Sequence, residues 1–169
     1  MTVRGSIQIS NNMTVDAPAS VPGAQPLATA ASWRFVVVPG TAADQADVFY
    51  ARVLSLAAAP QTLDLTALLD PFGAAISLAR VRSISILNSS IASPVLVGFA
   101  AATANAWTGF LANPGQLVVQ PSTATNQGIL TALAPGSTGW PVSAASKLLQ
   151  LDPGAATVSV SVTILGASV

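Results

Sequence analysis

The carboxylates spaced closely enough to do chemistry are Asp44 and Asp47, in Gly-Thr-Ala-Ala-Asp-Gln-Ala-Asp, and the pair Asp64 and Asp70. Two carboxylates within a few ångströms of each other would serve a glycosidase or an aspartic protease. Aspartate beside proline or glycine is a turn former, however. That accounts for Asp70 before Pro71 and Asp152 before Pro153, and Asp44 has the setting of a turn cap. A calcium ion takes about six to eight oxygen ligands, and Asp44-x-x-Asp47 falls far short. A serine nucleophile needs a base, and without histidine the one lysine, Lys147, is the only candidate. It stands four residues after Ser143 and one after Ser146, not the three that a Ser-x-x-Lys motif requires. With no cysteine and no histidine, thiolate nucleophiles, zinc sites and imidazole acid/base chemistry are also out of reach. Glycine-rich phosphate loops do not occur. No catalytic residue, metal or cofactor is expected, and the protein is read as not an enzyme.

Three aromatic rings remain as candidates. Trp107 and Phe110 lie in Trp-Thr-Gly-Phe, and Trp140 lies in Gly-Trp-Pro. Rings flanked by glycine and proline would make loop-borne anchors for a sugar or a protein partner, or they would plug the ends of a core. Asn12-Met13-Thr14 and Asn88-Ser89-Ser90 match the glycosylation sequon; both are read as incidental, because Met1 to Met13 contain no apolar run of the kind a cleaved signal needs.

The elements that would position these residues are strands. In Thr157 to Ile164, Val and Ile alternate strictly with Ser and Thr, a period of two that puts one face in a core and the other outside. Further strands are expected at Trp33 to Val38, Val48 to Ala57, Thr62 to Leu68, Ile76 to Leu87, Val95 to Ala100, Gln116 to Gln120, Gly128 to Leu133 and Ser146 to Leu151. Turn residues divide them at Pro39-Gly40, Ala59-Pro60, Asp70 to Gly73, Asn88 to Ser90, Asn113 to Gly115, Pro135-Gly136 and Asp152 to Gly154. That spacing predicts an all-β sandwich or barrel, with room for one helical turn around Ala67 to Asp70. Residues 1–32, with Pro18, Pro22 and Pro26 among small residues, read as an extended arm without sustained periodicity; residues 33–169 read as one domain. Arg52 and Arg82 share strand parity with apolar neighbours. Each calls for a bulge, a place at the edge of a buried face or at a strand end with its head in water, or an interchain ion pair with an aspartate.

Composition explains what such a domain would be for. Charged residues make up 7% of the 169, against about 25% in an average soluble domain. Six cations balance six aspartates, and the whole stretch between Arg82 and Lys147 is uncharged. No basic field exists to collect phosphates, so nucleic-acid binding is not expected, and hydrophobicity this high excludes disorder. The most apolar stretch, Ile91 to Ala112, is broken by Ser93, Pro94, Thr103, Asn105 and Thr108 and makes a poor membrane span. Much of the hydropathy is alanine, 32 residues of it. The chain is expected to be soluble, with a charge-poor surface that other protein covers, since obligate interfaces are depleted in charge.

Several segments in order, Leu63 to Gly73, Ala79 to Ser90, Trp107-x-Gly109-Phe110, Gly139-Trp140-Pro141-Val142 and the closing Val-Ser-Val-Thr-Ile-Leu-Gly strand, resemble small β-sandwich proteins of tailed-bacteriophage virions. The chain is most similar to capsid decoration (cement) proteins and related accessory proteins of the head or tail, over about residues 48–166. The resemblance implies an antiparallel, jelly-roll-like sandwich with an extended N-terminal arm. It implies a homotrimer bound to the major capsid protein lattice on the virion surface, assembled in the host cytoplasm. The alternative is a fibre or tail accessory module that binds a carbohydrate or receptor through Trp107 or Trp140.

Overall fold

The structure is a computed structural model and describes residues 5–15, 27–134 and 139–168. The described residues are all-β, with no helix. In chain order the strands are β1 (Gly5–Val15), β2 (Leu27–Pro39), β3 (Gln45–Ala46), β4 (Val48–Leu56), β5 (Gln61–Asp64), β6 (Leu68–Leu69) and β7 (Ala75–Ile76). They continue with β8 (Arg80–Asn88), β9 (Val95–Phe99), β10 (Gly115–Val119), β11 (Gly128–Leu133), β12 (Trp140–Pro141), β13 (Leu148–Asp152) and β14 (Val158–Ala167). Two antiparallel sheets form the body. One runs β10-β9-β13-β5; the other runs β11-β8-β14-β4, with β12 added beside β8.

Alternation decides which side of each sheet is buried. Along β14, Val158, Val160, Val162 and Ile164 are at most 2% exposed, while Ser159, Ser161 and Thr163 face out. The inner face of the second sheet, with Ile84 and Ile86 of β8, meets that of the first, with Val95, Val97, Leu149 and Leu151, in one core cluster. Two antiparallel sheets closed on a shared apolar layer are consistent with a β-sandwich. Each fully buried Val, Leu or Ile side chain contributes roughly 1.5–3 kcal/mol relative to leaving it in water.

The turns form where the sequence placed them. The Asp70 carboxylate accepts from the backbone N–H of Phe72 and of Ala74, both at 2.8 Å, and Gly73 takes a positive φ of 89° that only glycine adopts freely. Asp152 repeats the device on Gly154 N–H. Ala67 to Asp70 departs from the expected helical turn. Asp64 accepts from the N–H and hydroxyl of Thr66, closing a tight turn over 65–66, and Leu68–Leu69 then pair with Ala75–Ile76. Pro71 removes the N–H a helix would need to continue.

Arg82 overturns the expectation of a strand-end arginine with its head in water, for it is wholly buried. Leu165 pairs with Ser83 but Gly166 pairs with Val81, so Arg82 is the extra residue of a β-bulge. The bulge reverses the parity of β8. Val81 and Ile84 both enter the main core, and Arg82 lies under the loop that leads into β3. Its guanidinium donates to the carbonyls of Thr41 (3.0 Å), Ala42 (2.6 Å) and Gln45 (3.0 Å). Arg52, by contrast, stands exposed in the middle of β4, an edge strand, with Nη2 3.5 Å from the Asp70 carbonyl. It sits at the edge of a buried face.

The first strands form a ribbon. β1 pairs with β2 over their full facing length, Gly5 opposite Val37 and Val15 opposite Leu27, and β2 runs unbroken through residues 32 and 33 before a short parallel pairing with β3. The register sets Ile7 opposite Phe35, Ile9 opposite Trp33 and Met13 opposite Thr29 on one face of this ribbon. Ser6, Gln8, Ser10, Asn12 and Thr14 occupy the alternate positions. Ile7 and Ile9 alternate with Ser6, Gln8 and Ser10 within the segment read as an arm. Pro18, Pro22 and Pro26, and the turn expected at Pro135-Gly136, lie outside the described residues.

Candidate interaction surface

The strands disperse the residues with chemical potential. Asp47 binds the N–H and hydroxyl of Ser168, at 2.9 and 2.5 Å. Asp44 sits in a turn at φ 56° and exerts a favourable field on Arg82. Asp64 is held by Lys147, Nζ to Oδ2 2.6 Å, and this hydrogen bond, helped by Thr66, keeps its carboxyl below the usual range. Lys147 is therefore directed at a carboxylate and not at a serine. Ser143 and Ser146 close a small turn on each other's backbone, and Ser146 Oγ accepts from Thr108 N–H. Among the described residues, no three His, Cys, Asp or Glu side chains come together.

The three aromatics do come together. Trp107 is 4% exposed and its indole N–H donates to the Pro141 carbonyl at 3.0 Å. Phe110 and Trp140, both half-buried, pack edge-on or tilted around it, with ring centroids 5.4 Å (Trp107–Phe110), 6.1 Å (Trp107–Trp140) and 5.5 Å (Phe110–Trp140) apart. Such pairs contribute about 0.5–1.5 kcal/mol each beyond area burial. Gly109 makes room for them, since a Cβ there would lie 2.3 Å from the Trp107 ring. Trp107 is thus a core residue with a satisfied N–H, and it offers no free ring face as a stacking platform. Asn88 is equally committed. It is fully buried, with Nδ2 2.9–3.2 Å from the carbonyls of Ser93, Val119 and Gln120. The nitrogen that a glycan would need is enclosed.

The strand order also lays out a surface whose place in the fold no single strand reveals. The outer face of the β11-β8-β14-β4 sheet is laid out by register in rows: Ile129, Leu87, Ser161, Val53; then Thr131, Ser85, Thr163, Ala51; then Leu133, Ser83, Leu165, Phe49. Hydroxyls and aliphatic groups fill it, with Ser85 and Thr131 hydrogen-bonded across strands at 3.2 Å. Its charge is confined to the Arg80–Arg82 end of β8, where Arg82 is wholly buried and Arg80, opposite Ala167, is half-buried. Val53 and Ile129, at the two ends of the first row, are 71% and 56% exposed. The third row carries a small second cluster, Ala46 and Leu165 with Phe49 and Leu133 against them. The signal was present in the alternation of Ser and Thr with Val, but strand order was needed to lay four such strands side by side.

Searches against protein-family models, curated proteins and solved structures found no match for this chain.

Proposed function

We propose that the protein is a structural subunit that acts by protein-on-protein assembly, of the capsid-decoration kind: a jelly-roll-like sandwich with an N-terminal arm that binds and stabilises a major capsid protein lattice. The observation that carries this reading is the charge-poor, partly aliphatic outer face of the β11-β8-β14-β4 sheet, whose three central rows hold no charged residue. Solvent-facing sheets normally carry mixed charge for solubility; a face with so little of it suits burial against a partner. The resemblance of residues 48–166 to decoration proteins is the reason for taking that partner to be a capsid lattice. The carbohydrate-binding alternative is weakened by the enclosure of Trp107. Purified particles containing the protein in a fixed, lattice-related copy number are the expected result. A protein found only as a free monomer while particles lack it would refute the proposal.

A further inference from the structure

We infer that Arg52 guards the open edge of β4, a charge set into that edge so that β4 does not pair with the β4 of a second copy. The need for a guard follows from the sheet order. The two body sheets end in the edge strands β10, β5, β11 and β4, of five, four, six and nine residues. β10 and β11 lie near each other, and β5 is short and carries the charged Asp64. β4 is the long edge, and among the described residues it pairs with β14 and with no other strand. Its sequence, Val-Phe-Tyr-Ala-Arg-Val-Leu-Ser-Leu, is rich in β-branched, aromatic and aliphatic residues, and Arg52 is the only charge between Asp47 and Asp64. Without that charge the strand would combine high β-propensity with no charge and no proline, the character of an edge that templates pairing with another chain.

The direction of the charge matters as much as its presence. Arg52 stands opposite Val162, which is 1% exposed, and shares strand parity with Tyr50 and Leu54, which pack in the main core. Its side chain starts on the inner face, yet the residue is exposed, and Nη2 lies 3.5 Å from the Asp70 carbonyl. The Asp70 carboxylate is turned to the N–H groups of Phe72 and Ala74, so it does not pair with the guanidinium. An outward-facing arginine would stay in water if another strand docked on β4; an inward-facing one would be carried under it. A second β4, antiparallel about a two-fold axis, would set Arg52 opposite Arg52 or, after a shift of one pleat either way, opposite Tyr50 or Leu54. Directly opposed Cβ atoms lie about 4.5–5.5 Å apart and diagonal ones about 7–8 Å, both inside the Debye length of about 10 Å at 0.1 M salt. Every register that uses most of the strand therefore brings two like charges together while drawing them out of water. Inward-pointing charge is one of the devices by which sheet proteins keep an edge from pairing.

The test is sedimentation of full-length Arg52→Val, Arg52→Gln and Arg52→Lys beside the unmodified protein over a range of concentrations. Arg52 is exposed and its hydrogen bond is long, so these variants should keep the fold, and Arg52→Gln retains an N–H donor for the Asp70 carbonyl. Arg52→Val and Arg52→Gln should each form a species of double the unmodified protein's mass. The concentration needed should fall by about tenfold or more, since like charges juxtaposed across an interface cost at least that factor. Arg52→Lys, which keeps the charge, should sediment as the unmodified protein does. Hydrogen exchange locates the contact: amides within Val48–Leu56 of Arg52→Val should gain protection on association. Folded Arg52→Val and Arg52→Gln proteins that hold the unmodified mass overturn the inference. So does an Arg52→Lys protein that doubles as readily as Arg52→Val, or doubling without new protection in β4. None of these outcomes reads particle occupancy, so the failure of this inference is distinct from failure of the proposed function.

Discussion

The two sheets share one core yet present opposite outer faces. Across β10-β9-β13-β5 the outward positions include Gln116, Gln150, Asp152 and Asp64, the last paired with Lys147. Across β11-β8-β14-β4 they are mostly Ser, Thr, Ala, Val, Leu, Ile and Phe, with Arg82 folded away beneath a loop and Arg80 half-buried at the same end of β8. Both faces are built by the same alternation, so fold stability alone does not require the difference. Charge on an outward strand position costs a fold little, and its absence from the three rows between Ile129 and Phe49, while it persists on the other face, points to what lies outside those rows. The low charge content of the chain is thus distributed unevenly: it is concentrated where a partner would sit.

The largest perturbation strikes both faces together. Trp107→Ala removes a buried indole that anchors to Pro141 and packs on two rings, and it should cost about 3–5 kcal/mol in chemical denaturation. Both sheets should unfold in one transition; separate transitions would mean that the faces belong to independent units. Next is Arg82→Ala, expected to cost about 2–3 kcal/mol, because three carbonyls lose a charged donor. The loop over Thr41 to Gln45 should then exchange its amide hydrogens faster, extending the open part of the charge-poor face. Unchanged protection would show that the guanidinium does not hold the loop.

Smaller effects separate the faces. Ser161→Lys and Gln150→Lys each place one cation on an outer face, and each should alter stability by less than about 0.5 kcal/mol. Association should fall for the first and persist for the second. Equal losses would erase the proposed distinction.

The smallest effect belongs to the charged face alone. Lys147 lowers the Asp64 pKa, so the native state binds that proton less readily than the unfolded chain. The pair's contribution is complete above the unfolded value near 3.8 and is lost as pH falls through the lower native value. With both side chains over a quarter exposed, it should amount to less than about 1 kcal/mol. Asp64→Asn should flatten this acid limb of the stability profile, and an unaltered limb would assign it to other carboxylates.

Strand positions were legible because period-two alternation and turn chemistry are local. Gly128–Leu133 forms as expected to the residue, and Asp70 and Asp152 turn the chain as their neighbours proline and glycine dictate. Arg82 was not legible as a buried residue. A bulge set by pairing with Gly166 shifts its parity, and the carbonyls that receive it are about forty residues away in sequence. The ribbon was missed because the proline-rich stretch between its strands reads as a linker, although Ile7 and Ile9 already alternate with Ser6, Gln8 and Ser10. The charge-poor face needed the strand order itself, which no short-range pattern carries.

The central claim, that the β11-β8-β14-β4 face is covered by protein, is tested most directly by imaging the assembled protein at side-chain resolution. Protein density packed over Val53, Ser161, Leu87 and Ile129 is the predicted result. A bare face there, with neighbours seated instead over Asp64, Gln150 and Asp152, would contradict it.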